Sequence, residues 1–411
     1  MSKDRERVAI TGLGVVSAVG NSVREFFDSL VAGRSGVRRL PFSPELVGAM
    51  ADFSPDAHFT KMQQVSLDRF AQFAIVATEQ AVRDAGLDAA ALGNSRVGVY
   101  FGSGIGGAQT IEGSYRSYLD PASQRVSPLS VVLTMPNAAA AHISLKYGIR
   151  GPSMTYSVAC ASAAVAIGEA FRAIRDGYID IAIAGGSEAL LVPGIVAGWN
   201  AMRVLAPADP EHPERSCRPF SLNRSGLVLG EGAGALVLEA STHAAERLHR
   251  PTTEVAGYGI TSDAFHITKP SLDGQAAAMR AALEDAALSP EAIGYINAHG
   301  TATRVGDVIE TQAIERVFGD GARRIAVSST KALHGHLLGG AGAVEFIATV
   351  MALRNRTLPP TNHLSEPDPE CRLDYVPNVA RRVDSIEAAM SNSFAFGGTN
   401  AVLIACTARD G

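Results

Sequence analysis

Short runs of β-branched and apolar residues alternate along the chain with longer, alanine-rich amphipathic segments. Runs of this length and composition predict strands, and the amphipathic segments between them predict helices. The predicted strands or hairpins span residues 8–17, 97–104, 179–186, 234–240, 255–262, 293–300 and 388–405. Because helices separate these strands, the pattern predicts an α/β protein.

The pattern repeats weakly within the chain. A segment ending in DAGL (84–87) leads to the strand at 97, and a segment ending in DAAL (285–288) leads to the strand at 293. Residues 156–174 and 326–350 then each pass from a strand through small residues into an apolar helix. The repeat predicts two duplicated halves, 1–250 and 251–411, with a seam near HRPTT (249–253).

Two of the predicted helices have no polar face. One begins at Cys160 and contains Ala163, Val165 and Ile167, and the other begins near Gly340. A helix that is apolar on every side is buried between layers. We therefore expect a layered sandwich with a helical middle layer, in which the N-termini of both helices lie deep in the molecule.

Composition and charge exclude several classes of protein. The 411 residues are 46% hydrophobic with a net charge of −5 and no long basic block, so neither a nucleic acid nor an anionic membrane is expected as a partner. No apolar run resembles a signal peptide or membrane span. The four cysteines form no CxxC pair and lack a nearby histidine at metal-ligand spacing. We expect reduced thiols, no metal and a cytoplasmic location.

The sequence GSGIGG (102–107) follows a predicted strand and matches the GxGxxG pattern of dinucleotide-binding turns. That site also needs an acidic residue about 20 positions later, at the end of a second strand. Asp120 instead lies in the loop-like segment YLDPASQRVSP. A tight glycine turn that lines a substrate cavity is the favoured interpretation, and a dehydrogenase is the alternative.

Cys160 is the first candidate for chemistry. A free cysteine is usually a small, inert core residue. At the first turn of a buried helix, however, the helix dipole favours the thiolate and the backbone N–H is free to stabilise an oxyanion. The alanines and serines around Cys160 would leave an incoming thioester room to approach.

Two histidines occupy similar settings in the second half. His299 in NAHGTAT and His336 in KALHGHLLGG both follow predicted strands and lie among glycines. Each alone is compatible with a hydrogen-bonded core or surface histidine. Lys331, five residues before His336, could orient that histidine or set the local charge, or it could be a solvated lysine.

Taken together, these motifs resemble the β-ketoacyl-acyl carrier protein synthases of the KAS II (FabF-like) group, which are condensing enzymes with the thiolase fold. The resemblance covers essentially the whole chain. The matching segments are VACASA around Cys160, NAHGTAT around His299, SSTKALHGHLLGGAGAVE with Lys331, His336 and Glu345, SNSFAFGGTN with Phe396, and residues 218–239. It implies a five-layered αβαβα sandwich made of two duplicated halves.

The resemblance also implies a mechanism, that of a decarboxylating acyltransferase. Cys160 would take an acyl chain from acyl carrier protein as a thioester, with the backbone N–H groups of Cys160 and Phe396 as the oxyanion hole. Malonyl carrier protein would then lose CO₂, and the carbanion would attack the thioester to give 3-oxoacyl carrier protein. His299 and His336 would donate hydrogen bonds to the enolate oxygen. Phe396 would also act as a gate that moves when Cys160 is acylated.

Further residues take roles from the same resemblance. Lys331 and Glu345 would hold the catalytic residues in place, and Thr268, Thr301 and Thr303 would contact the phosphopantetheine arm of the carrier. The substrates arrive on that arm, so no resident cofactor is expected. As in the family, we expect a homodimer, although a paired heterodimer remains open.

The acyl pocket and the carrier surface have weaker matches. Ile105 and Trp199 fall where the family lines its acyl pocket, and tryptophan at 199 suggests an altered or shortened pocket. The candidates for carrier contact are Lys61, Arg69, Arg125 and Arg203. Ser221 and Ser225 replace the usual aspartates of housekeeping members, so the chain also resembles specialised, nodulation-type (NodE-like) synthases.

Two other functions compete with this interpretation. A non-catalytic chain-length factor would act beside another ketosynthase, but such partners lack the nucleophile that Cys160 supplies here. A thiolase acting on coenzyme A esters would pair one histidine with a second cysteine. Cys371 and Cys406 lie in motifs that do not fit that role.

Overall fold

The structure is a computed structural model that describes residues 5–408, so the outermost residues of both predicted halves, 1–4 and 409–411, lie outside it. Its strands are β1 (Val8–Ser17), β2 (Val37–Leu40), β3 (Ser43–Ala49), β4 (Val97–Gly102), β5 (Ser153–Tyr156), β6 (Ile181–Glu188), β7 (Leu229–Gly230), β8 (Gly232–Ala240), β9 (Thr253–Ser262), β10 (Ile293–Asn297), β11 (Ala326–Ser328), β12 (Thr357–Leu358), β13 (Arg381–Arg382), β14 (Ala388–Phe394) and β15 (Thr399–Thr407).

The helices separate these strands much as the periodicity predicts. They are α1 (Val23–Val31), α2 (Lys61–Val65), α3 (Arg69–Asp84), α4 (Ala89–Leu92), α5 (Ala108–Leu119), α6 (Ser130–Thr134), α7 (Ala138–Tyr147), α8 (Ser162–Arg175), α9 (Pro193–Ala201), α10 (Ser241–Glu246), α11 (Leu272–Ala286), α12 (Arg304–Phe318), α13 (Lys331–His334) and α14 (Ala341–Asn355). In the part of the chain that the structure describes, no helix is long and apolar enough to cross a membrane.

Ten strands form the main sheet system, in the order β11-β10-β14-β15-β9-β1-β8-β6-β4-β5. Starting from β1, the pairs β1-β8 and β8-β6 are antiparallel, whereas β6-β4 and β4-β5 are parallel. Starting from β9, the pairs with β15, β14, β10 and β11 follow the same sequence of orientations. The chain therefore contains two five-stranded sheets of equal topology, joined where β1 meets β9.

Side-chain alternation shows how the two sheets stack. On β6, Ala182 and Ala184 belong to a core cluster with α8 and α14, while Ile181 and Ile183 belong to another with α3 and α7. On β15, Leu403 joins the central cluster, and its neighbours pack with α11 and α12. Successive strand residues face opposite sides. The layers are therefore helix, sheet, helix, sheet, helix, which confirms the predicted αβαβα sandwich and its apolar middle helices.

Candidate active site

Cys160 lies in a short 3-10 turn, Ala159–Ala161, immediately before α8. Its neighbour Ala159 has a φ of 48°, a left-handed conformation that costs free energy and recurs at functional sites. Ser162 fixes the turn because its hydroxyl accepts from Val158 N and donates to Ala159 O. The thiol is therefore held at the N-terminal end of a buried helix, as the sequence predicted.

Small residues let this turn approach the end of β4. A Cβ atom added at Gly102 would lie 2.4 Å from Ala163 N, the second residue of α8. Real Cβ atoms do not come so close to backbone, so only glycine allows β4 to contact the start of α8. The small residues around Cys160 thus serve close packing as well as access.

His336 reaches Cys160 from the second half, with its Nε2 atom 3.0 Å from Sγ. Its backbone is fixed beside β7, because His336 N donates to Val228 O and Gly230 N donates to His336 O. The ring of His299 lies edge-on to that of His336, with centroids 5.4 Å apart. The two histidines that the motifs singled out therefore meet the cysteine in one buried group.

Glu310 holds the turn that carries His299, and the sequence analysis missed it. Its carboxylate accepts hydrogen bonds from the backbone N–H groups of His299 and Gly300, both at 2.8 Å, and from Asn392. A carboxylate on the apolar face of α12, eleven residues after His299, was the signal that could have revealed it.

Burial sets the charge state of the site. It lowers the pKa of His299 and of His336 well below 6.5, and the positive charge of Lys331 acts in the same direction. Both imidazoles are therefore neutral at pH 7. Burial also raises the pKa of Cys160 to about 12, although Lys331 and backbone N–H groups oppose it. The backbone N–H groups favour the thiolate, the direction expected at a helix N-terminus, but desolvation is the larger effect and the thiol stays protonated at pH 7.

Lys331 and Glu345 form a buried ion pair beneath this group, with Nζ and Oε1 2.5 Å apart. Burial raises the pKa of Glu345 to about 7, against the opposing effect of Lys331. The pair spans α13 and α14. It therefore fixes the loop between them, which carries His336.

Among the described residues, the side chains of Cys160, His299 and His336 form the one group that could hold a metal ion. Their ligand atoms all lie within 4.8 Å of one another. Sequence spacing could not reveal this group, because its members come from distant motifs. The Lys331 ammonium that depresses both histidine pKa values would also repel a divalent cation.

Phe396 closes one side of the site. The backbone N–H groups of Phe396 and Cys160 both act on the thiol and lower its pKa, as the two donors of an oxyanion hole would. The ring of Phe396 stacks on that of Trp199, with centroids 5.8 Å apart. The loop continues through Gly397 and Gly398, at φ values of 88° and 81° that favour glycine.

A cavity of about 650 Å³ leads from the surface to Cys160, His299 and His336. Thr268, Thr301 and Thr303 all line it, and the hydroxyls of the last two lie 3.1 Å apart. Trp199 also lines the cavity, whereas Ile105 packs in the apolar cluster that contains both Cys160 and Trp199. The three predicted arm residues and Trp199 thus line one cavity, and Ile105 lies outside its lining.

The four candidates for carrier contact have different surroundings. Arg203 is exposed and lines the cavity, together with Lys269 and Arg304, which the sequence analysis missed. Lys61 and Arg125 are exposed elsewhere, and Lys61 pairs with Asp56.

Arg69 does not fit a carrier contact. Its side chain is only 19% exposed and pairs with the buried carboxylate of Glu231, while its guanidinium lies 4.6 Å from the ring centroid of Phe73. This arginine is committed to internal packing. We therefore withdraw it as a candidate.

The GSGIGG turn does not have the form of a dinucleotide site. The backbone N–H groups of Gly104 and Ile105 donate to the carboxylate of Glu188, at 2.7 Å and 3.3 Å. A pyrophosphate would need those donors and would be repelled by that acid. The dehydrogenase alternative is therefore not supported.

Comparison with known proteins identifies the family of this chain. Residues 5–244 match the sequence model described as "Beta-ketoacyl synthase, N-terminal domain", and residues 252–365 match its C-terminal counterpart. The chain belongs to the beta-ketoacyl synthase family. It is 42% identical over 412 residues to 3-oxoacyl-[acyl-carrier-protein] synthase 2 of Staphylococcus aureus (strain COL), covering 98% of this chain and 99% of that one.

Solved structures of beta-ketoacyl synthases are also similar. One from Burkholderia phymatum STM815 is 38% identical with a TM-score of 0.90, and the match covers 98% of this chain and 100% of that one. A chain of the AntDE:AntF complex, a type II polyketide synthase acyl carrier protein with its ketosynthase, is 31% identical, with the same TM-score and coverage. The family predicted from the motifs is confirmed.

The site contains one thiol, that of Cys160, and the two imidazoles of His299 and His336. Cys371 lies in the outer core against α11 and α12, and Cys406 packs beside the same cluster. Neither reaches Cys160. A thiolase with a second catalytic cysteine therefore does not fit this chain.

Proposed function

We propose that this chain is a 3-oxoacyl-[acyl-carrier-protein] synthase that condenses malonyl carrier protein with an acyl chain held on Cys160. The observation that carries the proposal is the buried group of one thiol and two neutral imidazoles at the end of a cavity. Family membership supports the same reaction.

Acyl transfer comes first. As Sγ attacks the thioester carbonyl, its proton moves to His336 Nε2, which lies 3.0 Å away, and then to the departing pantetheine thiol. The oxyanion of the tetrahedral intermediate lies at the backbone N–H groups of Cys160 and Phe396. Because the thiol is uncharged at rest, this transfer of the proton to His336 is what activates it.

Condensation follows. Loss of CO₂ from the malonyl group leaves an enolate, whose oxygen accepts hydrogen bonds from His299 and from the Nε2-protonated tautomer of His336. The enolate carbon then attacks the acyl-cysteine carbonyl, and the Cys160 thiolate leaves and takes up a proton from solvent. Burial, with the positive charge of Lys331 in the same direction, keeps both imidazoles neutral, so in this step they act as hydrogen-bond donors.

Carrier binding is part of this proposal. Thr268, Thr301 and Thr303 offer hydroxyls to the amides of the phosphopantetheine arm, which brings the substrate. Arg203, Lys269 and Arg304 at the cavity offer positive charge to the acidic carrier. Lys61 and Arg125 remain more distant candidates, exposed on the surface.

We also propose a homodimer. Strand β5 forms the outer edge of the first sheet, and Met154 on it is exposed. Several apolar side chains near this edge are exposed too, namely Tyr115, Tyr118, Leu119, Val131, Val132 and Met135. An unpaired edge strand beside an apolar surface is suited to pairing with a second copy about a two-fold axis.

The remaining proposals concern organisation and location. A division into halves at residues 250 and 251 is supported by the loop between α10 and β9 and by the gap between the two family matches. The free thiols of Cys160, Cys217 and Cys371 support a reducing, cytoplasmic compartment.

Product formation tests the proposed reaction. The protein is mixed with acyl and malonyl carrier proteins, and mass spectrometry follows both the protein and the carrier. We expect one acyl group on Cys160 and then a 3-oxoacyl carrier extended by two carbons. Prior acylation should block alkylation of that thiol by iodoacetamide. An enzyme that accepts no acyl group under these conditions would overturn the proposal.

A further inference from the structure

Glu188, at the end of β6, is a buried acid with no role in the reaction proposed above. Its side chain is fully buried, and no basic side chain of residues 5–408 forms an ion pair with it. Burying a carboxylate is costly unless hydrogen bonds compensate. Burial of this acid therefore costs folding free energy, and the contacts of its carboxylate indicate what it does.

Four donors surround the carboxylate. Oε2 accepts from Gly104 N at 2.7 Å and from Gly339 N at 3.0 Å, and Oε1 accepts from Ile105 N and from the Ser103 hydroxyl, both at 3.3 Å. Gly104 and Ile105 follow β4 in the first half, whereas Gly339 precedes α14 in the second. One carboxylate thus ties together two turns that are more than 200 residues apart in the chain.

Glycines make this contact possible. A Cβ atom on Gly339 would lie 2.2 Å from Gly104 N and 2.7 Å from Glu188 Oε2. A Cβ atom on Gly104 would lie 2.9 Å from the same oxygen. The two turns can therefore close around the carboxylate only as glycines, which leave their N–H groups pointing at it.

The position of this cluster mirrors that of the catalytic site. Cys160 lies in a 3-10 turn before α8, after Ala159 with a φ of 48°, and Gly339 lies in a 3-10 turn before α14, after Leu338 with a φ of 44°. In the catalytic site, the turn before α8 meets residues at the ends of β10 and β14. In the Glu188 cluster, the turn before α14 meets residues at the ends of β4 and β6, which occupy the same positions in the other sheet. Gly339 N, which donates to Glu188, is therefore the counterpart of Cys160 N, one of the two proposed oxyanion-hole donors.

The tied turns carry two side chains that pack behind the cavity. Ile105 and Leu338 both belong to the apolar cluster that contains Cys160 and Trp199, and these last two line the cavity. Hydrogen bonds to Glu188 hold the N–H of Ile105 itself and that of Gly339, directly after Leu338. The carboxylate thus fixes two side chains that support the cavity lining, without touching the reacting atoms.

We propose that Glu188 is a positioning residue that sets acyl-chain selectivity by locking the Ile105 and Leu338 turns against Cys160 and Trp199, which line the cavity. This proposal rests on the synthase activity proposed above. Without the lock, the two side chains shift and the pocket discriminates less between chain lengths. Cys160 keeps its reactivity, because Ala159, Ser162 and Phe396 fix it independently.

The test is Glu188→Gln, which keeps the size but replaces one acceptor oxygen with a donor that faces backbone N–H groups. The kcat/KM values are measured for acyl carriers that differ by two carbons, together with the rate of Cys160 alkylation by iodoacetamide. We expect the ratio between the best and the next longer or shorter chain to fall at least about fivefold. The alkylation rate should stay within about twofold of the wild type.

Glu239→Gln is the matched control. Glu239 is equally buried, on neighbouring β8, but it pairs with Arg247 and His243 away from the pocket. This variant should lose thermal stability and keep the wild-type selectivity ratio. A selectivity loss of similar size in both variants would overturn the proposal, because it would then reflect general destabilisation.

Other outcomes are also decisive. An unchanged ratio in Glu188→Gln overturns the inference, as does a parallel loss of thiol alkylation. If Glu188→Gln does not fold, Glu188→Asp takes its place, because the shorter carboxylate cannot hold both turns at once. An unchanged ratio of kcat/KM values between chain lengths in that variant likewise refutes the proposal. A wild-type protein that forms no 3-oxoacyl product would instead refute the proposed function, so the two failures are distinguishable.

Discussion

At the scale of single residues, burial decides which charge each group carries. The thiol of Cys160 and the imidazoles of His299 and His336 are all neutral, because the site is shielded from water and Lys331 lies nearby. A neutral imidazole can donate a hydrogen bond to a developing enolate and keep its proton. The same two imidazoles in a solvated cleft would titrate near neutral pH.

Separate substitutions should divide the two half-reactions. We expect Cys160→Ala to abolish acyl transfer, because no other thiol reaches the cavity. His299→Ala should leave acylation of Cys160 largely intact and reduce condensation by at least about 100-fold, the usual cost of a lost oxyanion donor. Mass spectrometry of the acyl-enzyme and release of CO₂ report the two steps. A His299→Ala variant that condenses at the wild-type rate would contradict the assigned role.

The pH dependence follows from the lowered histidine pKa values. Below pH 6.5 an unfolded histidine binds a proton that folded His299 and His336 do not, so their contribution to stability is complete above pH 6.5 and declines below it. Condensation should therefore continue without an inflection near pH 6.5. The measurement is the rate of CO₂ release from malonyl carrier between pH 5.5 and 8. Because burial raises the pKa of Glu345 to about 7, the profile is also measured for Glu345→Gln, and a single-proton loss of activity centred near 6.5 that persists in this variant would show that a catalytic histidine titrates normally.

At the scale of elements, close backbone contacts bring the ends of strands to the starts of the two middle helices. Gly102 at the end of β4 faces the backbone of α8, and Gly234 on β8 faces Ala343 of α14. These contacts leave no space for side chains. They place the turns before both helices, including that of Cys160, at the centre of the molecule.

Gly102→Ala tests this contact. Its Cβ atom would overlap Ala163 N, so we expect a loss of about 3 kcal/mol in the free energy of unfolding and slower acylation of Cys160. Gly113→Ala on α5 is the control, because nothing lies within 4 Å of its added Cβ atom and alanine favours a helix by about 1 kcal/mol over glycine. Urea unfolding measures both. Equal stability in the two variants would refute the role given to Gly102.

At the scale of the whole molecule, the duplicated fold places one reaction between two halves. The first half contributes the nucleophile, and the second contributes both histidines and Phe396. The opposite combination, in which the turn before α14 in the second half meets the ends of β4 and β6 in the first half, encloses Glu188. At the outside, the edge at β5 and its exposed apolar neighbours form the surface at which we expect a second copy.

The oligomeric state tests that surface. Light scattering should give twice the chain mass of 42.9 kDa. Met154→Glu brings like charges together across a two-fold axis, so this variant should be predominantly monomeric at micromolar concentration. Leu248→Glu is the control at an exposed apolar site after α10, and it should remain dimeric. A monomeric wild type would contradict the proposed dimer.

The sequence by itself determined most of the elements and singled out three residues that the structure brings together. Strand β1 begins and ends where the apolar run predicted, and the apolar helices after Cys160 and Gly340 are buried as expected, because periodicity and small residues are local properties. The motifs likewise sufficed to select Cys160, His299 and His336, since nucleophile and histidine chemistry depends on residue type.

Only the tertiary structure decided how these residues act together. Cys160 and His336 are separated by 176 positions yet lie in contact, and no local pattern encodes that distance. Burial overrode the predicted thiolate, an internal ion pair removed Arg69 from the surface, and a carboxylate filled the GSGIGG turn. Charge state and partner choice depend on what surrounds a group in space, which the fold sets by packing the two halves together.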